Sequence, residues 1–103
     1  MKLLLNTTFV VHTSIESDFL QWVRNVYIPS AKASGVFGQP TIARVLTRLE
    51  PDTESIAIQM AANDKDAAER WHDETAALLK DDLSARWPNL ALHFTTYMEL
   101  LDL

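Results

Sequence analysis

The amino-acid sequence predicts an α+β fold whose elements follow the order strand, helix, strand, strand, helix, strand. The first observation is the alternation of apolar and other residues over residues 2–12, which is typical of a strand. The second is a pair of long segments, 13–34 and 64–86, that carry apolar residues at the helical period. The third is a turn-forming segment between two further strand-like segments, 41–49 and 55–62.

The first helix is expected to start at Thr13. Thr13 followed three residues later by Glu16 is the pattern of a capping box, in which each side chain satisfies a backbone N–H of the first turn. Pro29 has no amide and its ring crowds the preceding turn, so we expect it to end or kink this helix at Ile28. One further helical turn is expected over residues 29–34.

A loop and a hairpin follow. Residues 35–40 form the predicted loop, in which Phe37 is expected to return to the core. The segment Pro51-Asp52-Thr53 is turn-forming, so segments 41–49 and 55–62 are predicted to pair as a hairpin. The orientation of segment 41–49 stays open, because apolar residues occupy both of its faces.

The second helix is expected to be capped by Asn63 or Asp64 and to end near Arg86, before Pro88. Its outer, solvated face is expected to include Lys80. Its buried stripe is predicted to consist of Ala67, Ala68, Trp71, Thr75, Leu78, Leu79 and Leu83. A last strand is predicted over residues 90–101.

The strand residues sort into two faces. Right-handed crossovers place both helices on one face of a four-stranded antiparallel sheet, which is the ferredoxin-like βαββαβ arrangement. The side chains predicted to meet the helices are Leu3, Leu5, Phe9, Val11, Ile56, Ile58, Met60, Leu90, Leu92, Phe94 and Met98. Those predicted to face away are Asn6, Thr8, Val10, Ala57, Gln59, Ala61, Ala91, His93, Thr95 and Tyr97. We expect one such domain over residues 1–103.

The face directed away from the helices is too apolar for an ordinary wet surface. Val10, Ala57, Ala61, Ala91 and Tyr97 would form a patch of the kind that marks an interaction site. Two such sheets packed across a two-fold axis would cover it. The pattern therefore predicts a homodimer through the sheet face, with a cavity between the two sheets.

The composition argues against several classes of function. The chain has no cysteine, which removes disulfides, thiolate catalysis and cysteine-ligated metals. Its formal charge is −5 and its nine basic residues are scattered, so nucleic acid is not an expected partner. The N-terminal apolar run stops at Asn6, too early for a signal peptide, and no segment is long enough to span a membrane. We expect a cytoplasmic protein without a cofactor or a bound metal.

An ordered set of residues resembles an uncharacterised bacterial family. The set is Trp22, Ile28-Pro29, Gly35-x-Phe37, Arg44-x-Leu46, Gln59, Phe94-x-Thr96 and Glu99. The family is the four-two-eight-six family of domains of unknown function, in the dimeric α/β barrel (ferredoxin-like) superfamily. The resemblance implies this fold and a dimer over nearly the whole chain, but no activity, since the family has none assigned. The chain departs from the family pattern at Tyr27, Glu74 and Asp82, where histidines are common in the family.

His93 is the candidate catalytic residue, and Asn6, Gln59, His93 and Tyr97 are the candidate ligand-binding residues. On the face directed away from the helices, an imidazole could exchange a proton near neutral pH, and the amides and the phenol could hydrogen-bond a small molecule. The same groups could instead bond to one another across a dimer interface. His12 and His72 are expected to be structural or exposed.

Three functions stay open. The first is a homodimer that binds a small ligand or a protein partner at the inter-sheet cavity. The second is a cofactor-independent monooxygenase-like or isomerase-like enzyme on a small hydrophobic or aromatic substrate, with His93 as the proton carrier. The third is haem binding or degradation, because Asn6, Trp71 and His72 are similar in type to residues that some members of the superfamily use. The adjacency of Trp71 and His72 on a helix argues against that third function.

Overall fold

A computed structural model describes residues 1–103 and has the predicted order of elements. The four strands form one antiparallel sheet in the order β2-β3-β1-β4, and the helices follow β1 and β3 along the chain. The fold is therefore α+β and ferredoxin-like, as predicted. No helix has the length and apolar character needed to cross a membrane. The strands are β1 (Leu3–His12), β2 (Thr41–Val45), β3 (Thr53–Ala62) and β4 (Ala91–Glu99).

The first composite helix does not end at Pro29 but continues into the further helical turn that was expected there. Its parts are a 3₁₀ turn (Thr13–Ile15), α1 (Glu16–Trp22), a π segment (Val23–Tyr27) and α2 (Ile28–Ala33). In the π segment the N–H of Ile28 bonds to the carbonyl of Val23, five residues back. The backbone hydrogen bonds have thus already changed from the α-helical to the π-helical pattern just before Pro29, which has no N–H to donate. The chain stays helical to Ala33.

The predicted capping box at Thr13 and Glu16 is wrong. His12 caps the first turn, because its Nδ1 accepts a 3.1 Å hydrogen bond from the N–H of Ser14. The carboxylate of Glu16 binds the guanidinium of Arg44 on β2 instead. The role of His12 is therefore structural, as expected.

The second composite helix also contains a π segment, which shifts its buried stripe by one residue. Its parts are α3 (Lys65–Arg70), the π segment (Trp71–Ala76) and α4 (Ala77–Arg86), and Asp64 caps it by accepting from the N–H of Ala67 at 3.1 Å. A π turn holds one residue more than an α turn. The predicted position at Thr75 is accordingly taken by Ala76, and Lys80 is buried while Leu78 is exposed.

An aromatic cluster forms the centre of the core between the sheet and the helices. Phe9 of β1 contacts Phe19, Trp22 and Tyr27 of the first composite helix, with ring centroids 5.2–6.3 Å apart. Full burial of such a side chain contributes about 1.5–3 kcal/mol. Phe37 packs on the ring of Trp71 at 5.1 Å, which confirms that the loop returns to the core.

The β2–β3 hairpin forms as predicted, although β2 ends at Val45. Asp52 takes a left-handed backbone conformation (φ 60°) in the turn, which an aspartate tolerates better than most residues. The register settles the open question about β2, because Ile42 lies opposite Ile58 and Arg44 opposite Ile56. Ile42 and Arg44 therefore lie on the helix side of the sheet, and the residues that alternate with them lie on the other side.

Candidate functional site

β4 presents its two faces the opposite way round from the prediction. The pairs opposed across β1 and β4 are Leu5–Tyr97, Thr7–Thr95, Phe9–His93 and Val11–Ala91. The β1 members of these pairs are buried under the helices, so the β4 members lie on that side as well. Leu92 is 69% exposed and Phe94 is 53% exposed, whereas Ala91 is 8% exposed. The prediction that Leu92, Phe94 and Met98 meet the helices is therefore wrong.

Hydrogen bonding explains this orientation. The hydroxyl of Thr95 lies 2.9 Å from that of Thr7, which is buried on β1. The ammonium of Lys80 on α4 donates to the same Thr95 oxygen at 3.0 Å. A buried polar group needs such partners, and here the sheet and the second composite helix provide them to each other. The apolar pattern of β4 carries no sign of this polar layer.

The four predicted ligand-binding residues lie on two faces of the sheet. Asn6 and Gln59 lie directly opposite each other on β1 and β3, on the face directed away from the helices. His93 and Tyr97 lie on the helix side. The prediction that all four residues share the face directed away from the helices is therefore wrong. The Oδ1 atom of Asn6 is buried without a hydrogen-bond partner, while its Nδ2 donates to the hydroxyl of Thr8 at 3.3 Å.

Lys80, His72, Thr95 and Thr7 form what we call the polar cluster. The Nζ atom of Lys80 donates to Nε2 of His72 at 2.7 Å and to the hydroxyl of Thr95. Nε2 of His72 is therefore unprotonated, and the proton of the neutral ring resides on Nδ1, 3.4 Å from a carboxylate oxygen of Asp73. Nε2 also lies 3.1 Å from the Thr95 hydroxyl. Lys80 was expected on the solvated face, and His72 was considered only for the haem function, so the sequence did not predict this cluster.

Burial changes the acid–base behaviour of this region. It lowers the pKa of Lys80 to about 8. It also lowers the pKa of His72 and of His93, with the charge of Lys80 as the next cause in both. Burial raises the pKa of Tyr97, whose ring meets the ring of His72 at 5.8 Å. Both histidines are thereby kept neutral near pH 7, while Lys80 is mostly charged.

Two cavities adjoin at β4. One of about 350 Å³, the polar cavity, is lined by His72, Asp73, Lys80, Asp81, Ser84 and His93. The other, of about 490 Å³, is the apolar cavity and is lined by Val10, Leu49, Ala91, Leu92, His93 and Phe94, with Glu50 and Ser84 at its edge. His93 and Ser84 line both cavities. The predicted candidate catalytic residue therefore lies at the junction of two cavities, although not on the predicted face.

The residues compared with a haem site do not converge. Trp71 is buried against Tyr27 and Phe37, with ring centroids 5.8 and 5.1 Å away. Asn6 lies across the sheet from Trp71 and His72. No group of three or more histidine or acidic side chains is arranged to hold a metal ion.

The face of the sheet directed away from the helices, here the open face, is more apolar than predicted. The exposed large side chains there are Val45, Leu92, Phe94 and Met98. They flank half-buried small and polar residues on β1 and β3, such as Ala57 and Gln59. An exposed row of this kind on one sheet face is characteristic of an interaction surface.

The fold has well-matching relatives among solved structures, all at low sequence identity. HapK from Hahella chejuensis has a TM-score of 0.68 at 14% identity, over 98% of this chain and 93% of HapK. A variant of SnoaB, a cofactor-independent oxygenase from Streptomyces nogalater, has a TM-score of 0.63 at 18% identity, over 99% of this chain and 95% of SnoaB. A dimeric ferredoxin-like protein from an uncultured marine organism has a TM-score of 0.62 at 11% identity, over 100% of both chains. At such identities the likeness establishes the fold.

The sequence comparisons agree with the resemblance noted above. No curated protein matches the sequence. A family of domains of unknown function, DUF4286, matches residues 2–101, which is nearly the whole chain. The chain therefore belongs to the DUF4286 family.

Proposed function

We propose that the chain is a homodimer that packs its open face against that of a second copy and binds a small organic molecule at β4. One observation carries the proposal. Leu92 and Phe94 are exposed on the open face and also line the apolar cavity. A surface that covers these two side chains would also close the cavity, so association and ligand binding use the same residues.

A second copy is the occupant that the open face fits best. A two-fold axis places the same apolar patch on both sides of the interface, so each buried side chain counts twice. Burial of the exposed parts of Leu92 and Phe94 contributes up to about 1.5–3 kcal/mol each per copy, which reaches the lower part of the association cost of about 4–15 kcal/mol. The dimeric ferredoxin-like protein of similar structure is consistent with this choice.

The oligomeric state tests the interface. Light scattering after size-exclusion chromatography should give twice the chain mass for the wild type and the chain mass for Leu92→Glu, because the substitution would place a carboxylate without a partner in the interface of each copy. Leu78→Glu is the matched control, since Leu78 is equally exposed, at 69%, but lies on α4. It should remain dimeric. A wild type that is monomeric at micromolar concentration would contradict the dimer.

A second candidate function is cofactor-independent oxygenation or isomerisation of a small hydrophobic or aromatic substrate. His93 favours it, because this residue lines both cavities and a lowered pKa leaves its ring free to accept a proton near pH 7. The experiment is a screen of phenols and enolisable aromatic ketones for oxygen uptake or isomer formation. Any activity found should be lost in His93→Gln while the dimer remains.

A further inference from the structure

Lys80 is a buried cation without an acidic partner. It is 7% exposed, and none of the ion pairs in the structure includes it. Its ammonium has three N–H donors, of which His72 and Thr95 take two. Both of these partners are neutral, so the positive charge is solvated but not compensated.

The uncompensated charge lies beside a space that a ligand could enter. Lys80 lines the polar cavity, which adjoins the apolar cavity at His93 and Ser84. Burial of an ammonium is unfavourable unless an anion or a set of hydrogen bonds compensates it. An anionic oxygen in the polar cavity would provide the missing charge and accept the third N–H.

We propose that Lys80 binds the ionised oxygen of a small organic acid, a carboxylate whose apolar ring or chain lies in the apolar cavity. This inference rests on the ligand-binding part of the proposed function and adds the chemical class of the ligand. His72 and Thr95 are positioning residues, since their hydrogen bonds hold the Lys80 ammonium at the cavity.

The surroundings of Lys80 favour a monoanion over inorganic phosphate or another multiply charged anion. Asp73 and Asp81 line the same cavity and are exposed, so they repel additional negative charge. His72, His93 and Tyr97 are neutral near pH 7, because the pKa of each histidine is lowered and that of Tyr97 is raised. Lys80 thus provides the positive charge that binds the anionic group of the ligand, and the apolar cavity binds the uncharged part of the ligand.

A pair of probes separates this inference from the proposed function. Naphthoate and naphthamide have the same ring system, but only naphthoate is charged near pH 7. Their affinities for the dimeric wild type can be measured by calorimetry, with chemical-shift mapping of β4 and α4. We expect naphthoate to bind at least about tenfold more tightly, as a charge-assisted hydrogen bond implies. This preference should shrink as the pH rises above about 8, where Lys80 loses its proton.

Lys80→Met should abolish the preference for naphthoate and leave naphthamide binding intact. Lys32→Met is the matched control, because it removes the same charge from an exposed position on α2. Should Lys80→Met fail to fold, Asp81→Asn provides an independent test, since it should strengthen naphthoate binding alone.

Each other outcome is decisive. Equal affinity for the two probes in the wild type would overturn the organic-acid inference and leave the proposed ligand site standing. A preference for naphthoate that persists in Lys80→Met would also overturn the inference. Failure of both probes to bind at β4 would contradict the ligand-binding part of the proposed function as well.

Discussion

The Nζ atom of Lys80 lies 2.7 Å from Nε2 of His72, although the two positions are eight residues apart on the second composite helix. The intervening π segment brings both side chains to the sheet, where Thr95 completes the contact. A lysine and a neutral histidine thus share a buried position without a carboxylate to balance the charge. This pair is the basis of the first two predictions.

Lys80→Met should raise the free energy of unfolding near pH 7 by about 1–3 kcal/mol, because it replaces a buried uncompensated charge with an apolar side chain of similar length. Thr95 and His72 can still bond to each other across 3.1 Å. Chemical denaturation measures the change.

In the wild type, the free energy of unfolding should rise with pH from about 8 to 10.5, because the unfolded chain holds the Lys80 proton more tightly in this range. Lys80→Met should lose that rise, and a destabilised variant would identify Lys80 as a structural residue.

His72→Gln should reduce the acid sensitivity of the fold. The pKa of His72 is lowered in the folded state, so the unfolded state binds the proton first as the pH falls below 6.5. The free energy of unfolding of the wild type should therefore decrease as the pH falls below 6.5. The decrease should be smaller in the glutamine variant. Thermal unfolding at a series of pH values measures the difference between the variant and the wild type. Identical pH profiles for His72→Gln and the wild type would contradict the burial of this ring.

Adjacent threonines on β4 test the orientation of the strand. Thr95→Val removes hydrogen bonds to Thr7 and Lys80 and should cost about 1–3 kcal/mol of stability. Thr96→Val lies on the open face and should change the stability of the protomer little, while tightening the dimer. Urea denaturation of both variants in the Leu92→Glu background isolates the protomer. The reverse order of effects would support the orientation that the apolar pattern predicted.

Tyr27→Phe should leave the protein as stable as the wild type or stabilise it by about 1 kcal/mol. The hydroxyl of Tyr27 is buried in the core near Thr7 but makes no hydrogen bond of normal geometry, and burial raises its pKa to about 12. Removal of an unpaired buried hydroxyl relieves a desolvation cost. Denaturation at neutral pH measures the change, and a loss above about 1 kcal/mol would show that the hydroxyl has a partner in solution.

The order of strands and helices was predicted well because it depends on short sequence patterns that can be recognised without knowledge of the tertiary contacts. Alternation over residues 2–12, the turn at Pro51-Asp52-Thr53 and the cap at Asp64 mark where elements begin and end. The return of Phe37 to the core follows from the same reasoning, since a large aromatic residue in a short loop needs a buried environment.

The site was predicted poorly because it violates the rule that apolar residues face the core. β4 turns Thr95 inward, where Lys80 and Thr7 are its polar partners, and Phe94 outward, where it is 53% exposed. The ordinary helical period of the second helix placed Lys80 on the solvated face, since nothing in the sequence marked an extra residue in the π segment.

The whole polar cluster depends on one additional residue within a single helical turn. Deletion of one residue from 73–76 would restore an ordinary α-helix, rotate the following segment by about 100° and return Lys80 to solvent. Insertion or deletion of one residue could therefore create or remove the buried position of Lys80 in a single step, without any substitution in the polar cluster. Relatives that keep a lysine and a histidine at these positions but lack the insertion would share the residues without sharing the site.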